Sequence, residues 1–401
     1  MIIRDALYGA FELPSFLRRL VTAPEFRRLS EVRLININSP SLSTLAEVRR
    51  YSHTLGVVRL ALENSLLNFG EDEHRALLAS IIVHDAGTPA FAHLFEYQLN
   101  EQFSWNHEAI VPDILRKRHH VDAGLHQFYA YRRPEFQELC QASDIDFDIV
   151  LAILEGRHPG STLVFGSIDF DNLDNVARMS WMLGTPVDLK SILRLAGALG
   201  ADPEVGLLLP SSRREDLLAW AALRRQAYEI LVFDGPTVSG QAVLSSLINQ
   251  ALREGVLSVD DWHYTDNQLL KVLEDMSQEA KTRLAKEFNG PLPEMKLLLH
   301  LTEVNHPLFD LSRWQINTLI SRFLERKRVN RPYGYCLSDR GTFEKQITAV
   351  DPSNGLTWSV GKYSHSLILY GFGRGGARSR NPIAVGREFL DWSETADVEI
   401  T

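Results

Sequence analysis

Cysteine is nearly absent: 401 residues contain two, Cys140 and Cys336. That is too few for a disulfide framework, and neither belongs to a Cys-x-x-Cys arrangement, so a reducing, cytoplasmic setting is expected. Long apolar runs are also missing. No stretch reaches the roughly 18 residues of a membrane span, and Arg4 and Asp5 interrupt what would have to be the apolar core of a signal peptide. No membrane partner is expected. Positive charge is not in excess, since 42 Lys and Arg against 51 Asp and Glu leave a net charge of −9. Such a field does not favour duplex nucleic acid, and any phosphate site must be a local cluster of cations. The run Arg116, Lys117, Arg118, His119, His120 reads as a solvated helix end. Arg326, Lys327, Arg328 and Arg331 lack the interleaved aromatics expected of a single-strand binder, so nucleic acid is not favoured as a partner. The glycine-rich residues 371–380, GFGRGGARSR, have no strand, lysine and helix in phosphate-loop order and read as a mobile loop. There is no internal repeat.

What is present is helical periodicity over three-quarters of the chain. With 45% hydrophobic residues the chain can bury a substantial core. In residues 44–69, Leu45, Val48, Leu55, Val58, Leu62 and Leu66 recur at helical intervals before Asn68 and Gly70, predicting a helix that presents His53. Over residues 71–85, Leu77, Leu78, Ile81 and Ile82 form an apolar face, and Gly87 with Pro89 ends the helix just beyond His84 and Asp85. Residues 168–183 open on an Asp-rich turn containing Asp171, a favourable place for carboxylates at the positive end of a helix. Asp169 and Asp174 read as helix caps or packing partners. Further helices are predicted over residues 215–232, 238–253, 267–288 and 312–327. After Arg331 the composition shifts, and residues 356–360 and 366–371 read as strands.

His53, the adjacent His84 and Asp85, and Asp171 thus fall on or beside helices. Imidazole and carboxylate suit a divalent metal that shares its coordination sphere with water. Two histidines and two aspartates leave part of an octahedral sphere open, where a water can be acidified to a pKa of about 7, which points to a hydrolase. The donor set does not choose among manganese, iron, nickel, zinc and magnesium, so the expected cofactor is one divalent metal ion.

The blocks RRYSHTLGV, VHDAGTPAFAHLFE and IDFDNLDNVAR, in that order, resemble the HD-domain metal-dependent phosphohydrolases, most closely the deoxynucleoside triphosphate triphosphohydrolase branch that includes bacterial dGTPases. RDALYGAFELP and APEFRRLSEVRL near the N-terminus resemble that branch's leader, and the similarity runs from about Ile3 to Tyr228. The resemblance implies a mainly α fold: a helical HD-domain core over residues 1–290, and a smaller C-terminal α+β or β-rich element over residues 291–401. It implies that His53, His84, Asp85 and Asp171 are the metal ligands. It puts His93, Glu96 and His107 where the branch carries further active-site residues, with His107 moving a proton and Glu96 orienting it. Arg50 matches an arginine that grips phosphate, and Tyr228 a tyrosine near the nucleoside. Homo-oligomers are also implied.

The departures concern substrate recognition. Thr88 stands where the branch has a catalytic histidine, Asn172 where it has a phosphate-binding lysine, and Trp220 where it has an arginine. Asn175 and Met179 replace the tyrosine and aspartate that read deoxyribose. The expectation is a phosphohydrolase acting on a nucleotide or other phosphorylated small molecule, but not an ordinary deoxynucleoside triphosphate. The alternatives are a nucleotide-sensing or nucleic-acid-binding protein with little turnover, and a phosphodiesterase or nuclease.

Overall fold

In a computed structural model of the chain, residues 1–36, 39–64, 69–116, 135–302, 304–341, 343–375 and 381–395 are described. Leu66, Asn68, residues 117–120 and residues 376–380 lie outside the described residues. The helices used below are α1 (Arg50–Ala61), α2 (Glu71–Val83), α3 (His93–Phe103), α4 (His107–Leu115), α5 (Phe170–Met182), α6 (Arg214–Phe233), α7 (Gly235–Arg253), α8 (Asp266–Met276), α9 (Arg313–Arg326) and α10 (Pro382–Thr395). Most follow the expected periodicity, with ends set by local polar groups. Glu71, Asp72 and Glu73 occupy the first turn of α2, where Glu73 accepts the Gly70 N–H at 2.7 Å. Asp169 caps α5 by accepting the Asn172 N–H at 2.6 Å.

Two predicted helices are broken. Residues 44–69 hold a short helix, Ser43–Ala46, and then α1, because the intervening backbone is drawn into a β-bridge. Leu34 N–H donates to the Val48 carbonyl at 2.9 Å and Arg50 N–H to the Val32 carbonyl at 3.0 Å, so tertiary pairing overrides helical propensity. Residues 267–288 break at Ser277, which is extended at φ −163° and caps the next short helix through its hydroxyl.

The strands form three small sheets. β1 (Ile2–Asp5) and β2 (Gly9–Glu12) make a hairpin. β3 (Gly200–Asp202), β4 (Gly206–Leu208), β7 (Ile347–Val350) and β8 (Thr357–Val360) form the second sheet in that order, with β4 and β7 parallel. In the third, β9 (His365–Arg374) lies between β5 (Glu294–Leu301) and β6 (Asn330–Arg340), antiparallel to both. The fold is therefore mainly α with a smaller β-containing C-terminal element, as expected. Residues on both sides of position 290 share apolar clusters: Ile347, Ala349 and Val360 pack with the helical core, and Tyr370 and Phe372 pack with α3 and α7.

The expected loop at residues 371–380 is corrected in its first part, since β9 runs through Gly371 to Arg374 as a central strand. Its glycines serve close packing: a Cβ on Gly371 would lie 2.7 Å from Leu324 Cδ1 and 2.9 Å from Leu297 Cβ. Among the described residues no helix is long and apolar enough to cross a membrane. Both cysteines are buried, and burial pushes each thiol up to about 12, so neither offers a thiolate nucleophile.

A helix–sheet contact gives a stability test. A Cβ on Gly386 of α10 would lie 2.3 Å from the Leu298 carbonyl oxygen of β5. Gly386→Ala is expected to destabilise the protein by about 1–3 kcal/mol through overpacking. This should appear as a lower urea midpoint with an unchanged slope. An unchanged midpoint would contradict the contact.

Candidate metal centre and adjoining cavity

α1, α5 and the end of α2 bring His53, His84, Asp85 and Asp171 together, with one donor atom from each inside a span of 4.8 Å. His53 Nε2 lies 2.6 Å from Asp171 Oδ1, and His84 Nε2 lies 3.3 Å from the same oxygen. The other imidazole nitrogens are occupied. His53 Nδ1 faces Asp174 Oδ2 at 2.6 Å, and His84 Nδ1 donates to the Ile81 carbonyl at 2.7 Å. With Nδ1–H engaged on both rings, loss of the protons that each Nε2 shares with Asp171 would leave two Nε2 lone pairs beside one carboxylate. Such a donor set could hold a divalent cation, its ligands fixed by outer hydrogen bonds.

The close approach of α1 and α5 depends on Gly56, where a Cβ would sit 2.1 Å from Asp174 Oδ1 and 2.2 Å from Arg178 Nη2. Arg178 holds Asp174 through two bonds of 2.9 Å and reaches Asp5 at 3.0 Å. Asp174, read from sequence as a cap or packing partner, therefore orients His53. Its spacing of three residues from Asp171 on a helix was the available signal.

Burial alone would depress the His53 and His84 imidazolium ions, but the carboxylates outweigh it and raise each to about 9. For His53 these are Asp171 and Asp174, and for His84 Asp85 and Asp171. Burial would raise Asp85 and Asp171; neighbouring cations win and hold both below the ordinary range, chiefly Arg50 for Asp85 and His53 for Asp171. Asp169 goes the other way, to about 7, from burial and the adjacent Asp171 charge. A cation bound at the four donors would replace the shared protons.

Arg50 Nη1 contacts both oxygens of Asp85 at 2.7 Å, and Thr88 Oγ1 donates to Asp85 Oδ1 at 3.1 Å. Beyond Asp85, Glu96 on α3 accepts from two imidazoles: His93 Nδ1 at 2.8 Å and His107 Nδ1 in a very short contact. His107 is buried and points Nε2 toward Asp85 Oδ1, 3.9 Å away. Burial would lower the His107 pKa, but Glu96 outweighs it and raises it. His93 is half exposed.

The connection between the two groups is clamped from outside. Buried Arg28 donates through Nη2 to the carbonyls of Ala86 at 2.9 Å and Thr88 at 2.6 Å. Asp266, at the start of α8, accepts the Phe91 N–H at 2.8 Å. Phe91 and Ala92 have φ values of +54° and +49°, a strained conformation for residues with side chains. Neither Arg28 nor Asp266 was legible as part of the site.

A cavity of about 230 Å³ stops short of the four clustered residues and meets the site through His93 and Asn175. Tyr228, Asn36 and Gln241 line one part, and Tyr335, Leu337 and Phe343 from the C-terminal element line another. Asn175 Oδ1 has no hydrogen-bond partner among the described residues. Of the other departing positions, Thr88 stays in the cluster on Asp85, and the remaining three are engaged elsewhere. Asn172 bonds to Asp169 at 2.9 and 3.0 Å, and Met179 and Trp220 are packed in apolar clusters. Of the basic group near residue 327, Lys327 pairs with Glu388 and Arg331 with Glu287, both at 2.6 Å.

No family model matches the chain. A deoxynucleoside triphosphate triphosphohydrolase SAMHD1 homolog from Dictyostelium discoideum is 23% identical over 200 residues, covering 46% of this chain and 36% of that protein. The chain thus matches little more than a third of that relative's length. Among solved structures, a phosphohydrolase from Bacteroides thetaiotaomicron superposes with a TM-score of 0.65 at 17% identity, over 94% of this chain and all of that one. A hypothetical protein from Aquifex aeolicus gives 0.64 at 15% identity, over 97% and 99%. At such identities these two show a shared fold. The class of protein that fold and site resemble is the HD-domain phosphohydrolase. The Dictyostelium protein matched in sequence carries the name of a deoxynucleoside triphosphate triphosphohydrolase.

Because His53 and His84 hold protons up to about pH 9, metal binding must release them. Apparent affinity for manganese should therefore climb from about pH 6 to 9, by up to about tenfold per unit for each proton released. Calorimetry in buffers of different ionisation enthalpy would count the protons. A pH-independent affinity would remove these histidines from the ligand set.

Proposed function

We propose that the chain is a metal-dependent phosphohydrolase acting on a nucleotide or related phosphate ester. The observation that carries this reading is the convergence of two imidazole Nε2 atoms and two carboxylates, with each Nδ1 already engaged, beside the buried Glu96–His107 pair. His53, His84, Asp85 and Asp171 would hold the ion. When bound, a divalent cation supplies Lewis acidity toward a phosphoryl group and acidifies water toward neutrality.

The chain's own residues divide the remaining work. Glu96 fixes the Nδ1–H of His107 and favours the ring's protonated form, so that Nε2 can deliver a proton to a departing oxygen. Arg50 stabilises charge near Asp85. Tyr228 and Asn175 would meet the nucleoside in the adjoining cavity. The Dictyostelium relative's name supports a nucleotide substrate. Asn175 and Met179 in place of the sugar readers argue against a standard deoxynucleoside triphosphate, since each lost polar contact is worth about 1–3 kcal/mol. A cytoplasmic location and assembly into homo-oligomers belong to the same reading.

Phosphate release should be compared across deoxy- and ribonucleoside mono-, di- and triphosphates under one metal condition. The expected result is metal-dependent turnover with a preference outside the four standard deoxynucleoside triphosphates. Ligand-induced melting shifts without turnover would favour a nucleotide sensor, a role that Thr88 in place of the branch's histidine also suits. His107→Ala should keep its metal while turnover falls by about 10²- to 10⁴-fold. His84→Ala should lose both. Equal metal content in the two variants would undo the division between ligand and proton donor.

A further inference from the structure

The cavity beside the metal cluster is walled by distant parts of the chain, and one buried side chain ties two of them together. Tyr228 comes from α6, and Phe343 from the segment that joins β6 to β7. Arg224 lies one helical turn before Tyr228 on α6, with its guanidinium 4.5 Å from the centre of the Tyr228 ring and 6.0 Å from the Trp220 ring. Across the gap, its Nη2 donates to the Gly341 carbonyl at 3.1 Å. Gly341 holds a φ of +85°, a conformation that favours glycine, and its own N–H donates to the Ser364 carbonyl at 3.0 Å. The chain then reaches Phe343, whose ring stacks 6.1 Å from Phe233 at the end of α6.

Filling this space with a guanidinium is costly. Arg224 is only 8% exposed, its Nε has no hydrogen-bond partner, and among the described residues it forms no ion pair. An apolar side chain would avoid that desolvation cost. It would not lie on an aromatic ring as a cation while donating to a carbonyl, which is how a planar guanidinium fixes the two relative to each other. Arg225 spans the same gap in an exposed pair, from Nη1 to Glu344 Oε1 at 3.3 Å. The segment is therefore held to α6 twice, and of these two arginines it is Arg224 that carries a cavity residue on its guanidinium. None of the described residues lining the cavity is Asp, Glu, Lys or Arg, which suits the uncharged, ring-bearing part of a ligand.

We propose that Arg224 is a positioning residue for nucleoside binding: by fixing the Tyr228 ring against the segment that carries Gly341 and Phe343, it shapes the cavity that takes the uncharged part of a nucleotide. Arg224 itself holds no phosphate in this scheme. The assignment rests on the reading of the chain as a nucleotide phosphohydrolase.

The test combines steady-state turnover of the nucleotide hydrolysed fastest with equilibrium binding of the common ribo- and deoxynucleosides and of inorganic triphosphate, all on the metal-loaded full chain. Arg224→Met keeps most of the side chain's length without its donors or its charge. It should raise KM and weaken nucleoside binding by about 10-fold, with kcat, inorganic triphosphate binding and metal content unchanged. Arg224→Lys keeps a charge beside Tyr228, so it should recover part of the loss, and it carries the test if Arg224→Met does not fold. In a Tyr228→Ala background Arg224→Met should have a much smaller effect, because the residue acts through that ring. Arg225→Gln should change nothing, since an exposed pair contributes little. Unchanged nucleoside binding in Arg224→Met overturns the assignment, and so does full additivity with Tyr228→Ala. Equal losses for nucleoside and inorganic triphosphate overturn it too, by placing Arg224 on the phosphates. If the wild-type protein turns nothing over, an Arg224-dependent loss of nucleoside binding upholds the assignment and defeats the hydrolase reading. No nucleoside binding by the wild-type protein overturns the assignment and leaves the hydrolase reading to the turnover assay.

Discussion

One imidazole held between two carboxylates organises this molecule. His53 sits at the crossing of α1 and α5, with Asp171 on one nitrogen and Asp174 on the other, both at 2.6 Å. The carboxylates come from the same face of one helix, so the ring cannot rotate without breaking a bond to α5. The network continues through Arg178 to Asp5 on the N-terminal hairpin and through Asp171 to His84 at the end of α2. Four segments are thus tied by groups that are mostly inaccessible to water. Removing one member of such a buried set leaves an uncompensated charge and costs about 3–5 kcal/mol, more than the set contributes over a well-packed apolar replacement. Retaining it is understandable if the groups have work to do beyond holding the fold.

The segment joining the two histidine groups shows a different economy. Its carbonyls are gathered by Arg28 and one of its N–H groups by Asp266, each reaching in from a distant part of the chain. The backbone at Phe91 and Ala92 is strained, and the surrounding bonds hold it there. The consequence is positional: His93 and Glu96 start a helix whose entry angle is dictated by residues that touch neither of them.

The sequence disclosed what is local and periodic. The histidine and aspartate pattern, the apolar face of α2 and the cap at Asp169 are encoded within a few residues, and they appear in the structure with small changes at their ends. What could not be read depends on contacts between remote segments. Nothing near Val48 announces that its carbonyl will accept from Leu34 and break a helix. Nothing in GFGRGG distinguishes a loop from a central strand whose glycines admit Leu324 and Leu297. The C-terminal walls of the cavity belong to the same class, because Tyr335 and Phe343 are ordinary residues until β6 and the following turn carry them to α6. Asp174 is the intermediate case, since its helical spacing from Asp171 was visible while its partner on α1 was not.

The parallel pairing of β4 with β7 joins Leu208 to Val350 across a long stretch of chain. Pairings of that kind form late, because a large loop must close before any contact rewards it. During synthesis the four clustered histidine and aspartate residues emerge well before the strands that wall the cavity. A nascent chain could therefore assemble the polar cluster while the adjoining pocket still lacked one side and the edge of β4 stood unpaired, inviting association with other chains. The cluster acquires its walled neighbour only when β9 pairs with β6 in the third sheet, bringing Ile368 beside Tyr335 and Leu337.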